Sequence, residues 1–200
     1  MTSSAPRLVV VGGPNGAGKT TFAKFYAHGE DLPYLGADDI AHALAPQDPA
    51  SVRVQAGRVF SKRLSAALAT QQSLVVESTL AGSSLARRLA TARQAGYRIT
   101  VILVFLDSVA LCLHRITERV AQGGHHVPDE DVRRRFQRVF PVFWSHYRPH
   151  AHHCLLVFNG GESFLPVAES TDDEWTIYDA RMWATFQSFI EGHEHENHQN

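Results

Sequence analysis

A three-layer α/β domain built on a mainly parallel sheet is the fold class this sequence predicts. Three observations predict it: short apolar runs without polar alternation, helix-length amphipathic stretches between them, and a glycine-rich segment set between the first run and the first helical stretch. Consecutive apolar positions suit strands covered on both faces. The intervening helices supply the covering layers and the crossovers that parallel strands require.

In chain order, residues 7–11 form the first strand, and Gly13-Pro14-Asn15-Gly16-Ala17-Gly18-Lys19-Thr20 follows it directly. A helix over 19–28 comes next, then a short strand near 33–36. Residues 51–72 carry Val52, Ala56, Val59, Phe60, Leu64, Ala67 and Leu68 at helical spacing. Residues 73–77 are the third strand. A helix over 83–95, capped by Ser83 and ended by Gly96, leads to a strand over 98–106. Ser108 caps a helix over 108–122. After Gly123-Gly124-His125-His126-Val127-Pro128, helical character resumes over 129–147, followed by a strand at 154–158, two weaker strands at 164–168 and 174–178, and a helix over 179–190. The chain shows no internal repeat, so residues 1–192 read as one domain and 193–200 as a disordered tail.

Composition narrows the function classes. With 200 residues and 44% hydrophobic content, one globular domain accounts for the chain. Lys plus Arg number 19 against 20 Asp plus Glu, a formal charge of −1, which gives no global reason to expect nucleic acid or a membrane surface as partner. No charged-then-apolar leader and no apolar run near eighteen residues is present, so a cytoplasmic setting is expected. Cys112 and Cys154 have no metal-ligand spacing and read as buried free thiols. The twelve histidines lack partner acids at rigid spacing and suggest adventitious metal binding at most.

The glycine-rich segment carries the chemistry. Glycines at 13, 16 and 18 let successive backbone N–H groups turn towards an anion, Lys19 would reach the β- and γ-phosphates of ATP, and the Thr20 hydroxyl would hold magnesium, with Thr21 next to it. The strand before and the helix after complete the phosphate-binding loop. Three acids then close strands at the edge where open parallel sheets bind ligands. One of Asp38 and Asp39 would face the site while the other starts a helix; Glu77, with Thr79 beyond it, would touch substrate or a magnesium-bound water; Asp107 ranks third. Arg115 and Arg119 share a helix face, Gly123-Gly124 is a hinge, and Arg133-Arg134-Arg135 opens the next helix, a pattern that reads as a helical lid over residues 115–140, with Arg119 and Arg134 facing the transferring phosphoryl group and His125 a further phosphate contact.

Together, the loop with Thr21-Phe22-Ala23, Ala37-Asp38-Asp39-Ile40-Ala41, Glu77-Ser78-Thr79-Leu80, Arg119-Val120-Ala121-Gln122-Gly123-Gly124-His125 and Arg133-Arg134-Arg135-Phe136 resemble the zeta-toxin-type kinases over residues 7–160. The resemblance implies an ATP-dependent kinase that phosphorylates a hydroxyl of a small molecule, UDP-N-acetylglucosamine in the toxins proper, and an antitoxin protein as partner. It makes Asp38 the base, Glu77 and Thr79 acceptor contacts, and Lys19, Thr20, Arg119 and Arg134 the groups on phosphates and metal. It also sets Asn159 near the adenine. Gly36 departs from the Asn frequent at that place in the family. Two other readings share these residues: a regulatory ATPase read by a protein partner, and a kinase of a different sugar, antibiotic or nucleoside hydroxyl.

Overall fold

Val9, Val10 and Val11 are buried on both faces because the strand that carries them, β1 (Arg7–Gly12), lies in the interior of the sheet, paired on both edges and covered on both faces. The computed structural model describes residues 5–124 and 126–197, the last six of these as backbone alone. Around β1 the strands run in the order β2-β3-β1-β4-β5-β6-β7, with β2 (Tyr34–Leu35), β3 (Leu74–Ser78), β4 (Arg98–Phe105) and β5 (His153–Phe158) parallel to it. The hairpin β6 (Leu165–Thr171) and β7 (Glu174–Ile177) adds an antiparallel edge.

Seven α-helices accompany this sheet among the described residues: α1 (Lys19–Gly29), α2 (Ala37–Leu44), α3 (Arg53–Ala69), α4 (Ser84–Gln94), α5 (Val109–Ala121), α6 (Asp129–Val142) and α7 (Ala180–Asn197). The strands and most of the helices lie where the apolar runs and helical spacing predict them. Ser108 caps α5 by accepting from the Leu111 N–H at 3.3 Å, and Gly96, at φ +87°, terminates α4. Ser83 precedes α4 without a side-chain cap bond.

Some element boundaries differ from the sequence reading. Asp38 and Asp39 both lie in the first turn of α2, a separate helix that the sequence reading did not resolve, and Gly36 is its N-cap. The helix expected over 129–147 ends its α-helical part at Val142 and widens into a π turn, Phe143–Tyr147, just after Pro141, a residue without an amide donor. The final helix continues to Asn197, into the stretch read as a loose tail; residues 198–200 and His125 lie outside the described residues. No described helix is long and apolar enough to cross a membrane.

The core on the α5–α7 side is aromatic. Phe105 of β4 meets Phe140 and Phe186 edge-on or tilted at 6.1 and 6.2 Å, and Phe140 lies 4.5 Å from Phe189. Val132, Phe136, Val139 and Phe140 are buried in it, so the helix predicted as a lid is anchored along its inner face. Cys112 and Cys154 are buried free thiols, and burial pushes each up to about 12.

For the site, the decisive feature is the order reversal. From β1 the chain crosses to β2 at the far edge and returns to β3, which pairs with β1 so that Val11 faces Glu77 and Gly12 faces Ser78. The crevice of an open parallel sheet lies at such a reversal, outside the carboxyl ends of the strands.

Candidate active site

The phosphate loop leaves β1 under tight steric control. Gly13 adopts φ +145°, and a Cβ there would lie 1.9 Å from the Val104 carbonyl oxygen; Gly18, at φ +86°, leaves no room for a side chain beside Asn159. Asn159 follows β5 and donates from Nδ2 to the Ala17 carbonyl at 2.9 Å, so it braces the loop's outer wall. Phe164 packs edge-on against Phe22 of α1 at 5.2 Å beside it.

Lys19 is 8% exposed, and its Nζ donates to the Pro14 carbonyl at 2.8 Å. Burial lowers its pKa, while the carboxylates of Glu77 and Asp38 act in the opposite sense and the Arg119 guanidinium adds to the lowering. Those electrostatic neighbours bring together four residues that the sequence scatters over a hundred positions: Lys19, Asp38, Glu77 and Arg119. Ammonium groups are rarely this buried without an anion to meet.

Glu77 stands at the centre. Thr20 donates to its Oε1 at 3.0 Å and Tyr34 to its Oε2 at 2.5 Å. Burial first, and then Glu77, hold the Tyr34 phenol far above its ordinary range, so it remains a donor. The acid that meets the loop's threonine is therefore Glu77, and Asp107 lies exposed beyond β4. Of the two aspartates on α2, Asp39 turns to Lys24 with an ion pair of 2.7 Å, and Asp38 is the one felt by Lys19. Thr79 is half-buried just past β3, and Thr21 is exposed on α1.

The arginines sort differently from the sequence expectation. Arg134 is 60% exposed and pairs with Asp131 at 2.7 Å along its own helix. Arg135 is the inward one: it donates to Asn15 Oδ1 in the phosphate loop at 3.1 Å and lies 3.7 Å from Asp131. Helical geometry explains the swap, since Phe136 and Val132 turn into the core and Arg135 lies beside that face, whereas Arg134 points across it. Gly124 packs under Arg119, donating to its carbonyl at 2.8 Å.

Among the described residues, Tyr34 and Arg135 reach Glu77 and the phosphate loop, and sequence reasoning singled out neither. Tyr34 had a signal, a phenol two residues before Gly36 and four before Asp38. Arg135 had none beyond membership of the Arg133-Arg134-Arg135 run.

The profile of the AAA domain family matches residues 8–142, the span from β1 through α6. The chain belongs to this AAA domain family. An uncharacterized protein of Haemophilus influenzae is 31% identical over 124 residues, 62% of this chain and 88% of that protein. Among solved structures, the AvrRxo1-ORF1:-ORF2 complex with ATP superposes with a TM-score of 0.74 at 16% identity, over 94% of this chain and 65% of the matched one; this chain thus spans about two thirds of that relative's length. The PezAT toxin-antitoxin structure of Streptococcus pneumoniae gives 0.61 at 12% identity over 96% of this chain and 88% of the matched one. A putative kinase of Chloroflexus aurantiacus gives 0.56 at 23% identity, over 68% and 80%. At these identities the structures establish a shared P-loop fold.

The donor set suits a hard cation. A threonine hydroxyl and a carboxylate side by side are the oxygen ligands and water-holders that magnesium takes, although among the described residues no group of three or more His, Cys, Asp or Glu side chains gathers to hold a metal, here or elsewhere.

Proposed function

We propose that this AAA domain protein is an ATP-dependent phosphotransferase that moves the γ-phosphate of ATP to a hydroxyl of a small molecule. The observation that carries the reading is the convergence on Lys19: a buried ammonium in a phosphate loop, with Glu77 on the loop's threonine and Asp38 supplied by the first turn of α2. An ATPase that passes phosphate only to water needs the first two. A second acid acting on Lys19, Asp38, supports transfer to a hydroxyl.

In this reading Gly13–Thr20 and Lys19 hold the triphosphate, and Thr20 with Glu77 would hold magnesium, which would supply neutralisation of the phosphate charge. Asp38 orients the acceptor hydroxyl and takes its proton as the oxygen attacks the γ-phosphorus; the new O–P bond forms as the bond to the β-phosphate oxygen breaks, and ADP leaves. Arg119 and Arg135 offer guanidinium groups to the charge spread over the transferring group. Arg134, initially expected in that role, is proposed only as part of the outer face of α6. Glu77 and Thr79 border the acceptor. The zeta-toxin resemblance supports a nucleotide-sugar such as UDP-N-acetylglucosamine as acceptor, and the fold shared with chains of two-protein complexes supports a protein partner of the antitoxin kind.

Asp38→Asn is the direct test. It should retain ATP affinity and lose transfer by about a hundredfold or more, the usual contribution of a positioned base; undiminished transfer would remove Asp38 from the mechanism.

A further inference from the structure

Glu77 receives one hydroxyl from each half of the site. Thr20 belongs to the phosphate loop and donates to Oε1, while Tyr34 belongs to the strand that delivers Asp38 and donates to Oε2. The terminal torsion of a glutamate is broad and roughly two-fold, so a carboxylate held on one oxygen alone keeps rotational freedom. Held on both, it retains one orientation.

The Tyr34 ring is itself braced. Its backbone pairs with Val75 of β3; Lys24 Nζ lies 5.4 Å from the ring centroid and is fixed by Asp39. Gly36 completes the brace. A Cβ there would lie 2.2 Å from the Tyr34 hydroxyl oxygen and 2.8 Å from Cζ, yet Gly36 sits at φ −125°, a conformation any residue adopts. Glycine is needed at 36 by the phenol beside it and not by the backbone. A side chain supported from several elements and aimed at one carboxylate has the form of an outer-shell orienting group.

We propose that Tyr34 is a positioning residue of this site: its hydroxyl locks the Glu77 carboxylate between the magnesium side and the acceptor side, and Gly36 leaves the phenol its place. Tyr34 acts through Glu77 and does not touch the reacting atoms. The proposal rests on the nucleotide-and-magnesium half of the reading above.

The test is calorimetric binding of ADP to the full chain, with magnesium and with EDTA, for wild type, Tyr34→Phe, Gly36→Ala, Glu77→Gln and the Tyr34→Phe/Glu77→Gln double variant. Tyr34→Phe should leave ADP affinity in EDTA unchanged and cut the affinity gained on adding magnesium by about tenfold, the worth of one hydrogen bond to a charged group. Gly36→Ala, which displaces the phenol without removing a polar group, should reproduce that loss. In the Glu77→Gln background Tyr34→Phe should change nothing further. An unchanged magnesium gain in Tyr34→Phe, full additivity in the cycle, or an equal loss of affinity in EDTA would overturn the proposal. Because the readout is binding, failure to find a phosphorylated acceptor would count against phosphotransfer and leave this result interpretable.

Discussion

Arg135 donates to Asn15 Oδ1 across 3.1 Å, joining α6 to the phosphate loop between residues 120 apart in sequence. Its neighbour Arg134 spends its charge on Asp131 at the surface. Arg135→Ala should therefore weaken ATP turnover by about tenfold to a hundredfold, in line with loss of a charged hydrogen-bond donor. Arg134→Ala, which breaks an exposed pair worth about 0–1 kcal/mol, should change it by little. Steady-state kinetics of the two variants side by side decide the assignment; a larger effect at Arg134 would reverse it.

Asp38 and Asp39 separate by partner. Asp39→Asn loses the half-exposed pair that fixes Lys24 but leaves the Tyr34–Glu77 hydrogen bond, so phosphate transfer should stay within a few fold of wild type, as expected for a surface ion pair. A loss matching that of Asp38→Asn would show that the two aspartates act together.

Much of the fold was legible because its signals are local. Apolar runs such as Val101-Ile102-Leu103-Val104-Phe105 have only one stable environment, a strand covered on both faces, and the Gly13–Thr20 loop announces itself by glycine spacing. Position at strand ends singled out Glu77 and the Asp38-Asp39 pair, and the choice of Asp38 within that pair came from the zeta-toxin resemblance. The choice of Arg134 over Arg135 was not, since it depends on which way α6 rotates to bury Phe136 and Phe140, and the pairing of Tyr34 with Glu77 depends on β2 lying beside β3. Neither is written in a local pattern. The same holds for α2, whose eight residues are too few to set an amphipathic period.

Gly13 tests the loop's packing. A methyl group there would lie 1.9 Å from the Val104 carbonyl, at a φ that side chains rarely adopt. Gly13→Ala should lower stability by about 1–3 kcal/mol, as for other overpacked sites, and abolish ATP binding with it. Thermal unfolding with and without ATP reads both, and wild-type stability in the variant would show that the loop can relax.

The buried thiols predict alkaline behaviour. Cys112 and Cys154 are held at about 12 by burial, above the ordinary thiol value of 9.0 reached on unfolding, so their contribution to stability is complete below pH about 9 and is lost as pH rises towards 12. Denaturant midpoints should fall across that window, and Cys112→Ala/Cys154→Ala should flatten the fall. Native protein should also resist alkylation at pH 8, where the unfolded chain reacts.

The most direct test of phosphotransfer is to incubate the protein with γ-labelled ATP and a bacterial metabolite extract and to identify labelled products by mass spectrometry. The account predicts label in a phosphorylated hydroxyl compound with wild type and its absence with Asp38→Asn. Label recovered only as inorganic phosphate, in equal amounts from both proteins, would contradict it.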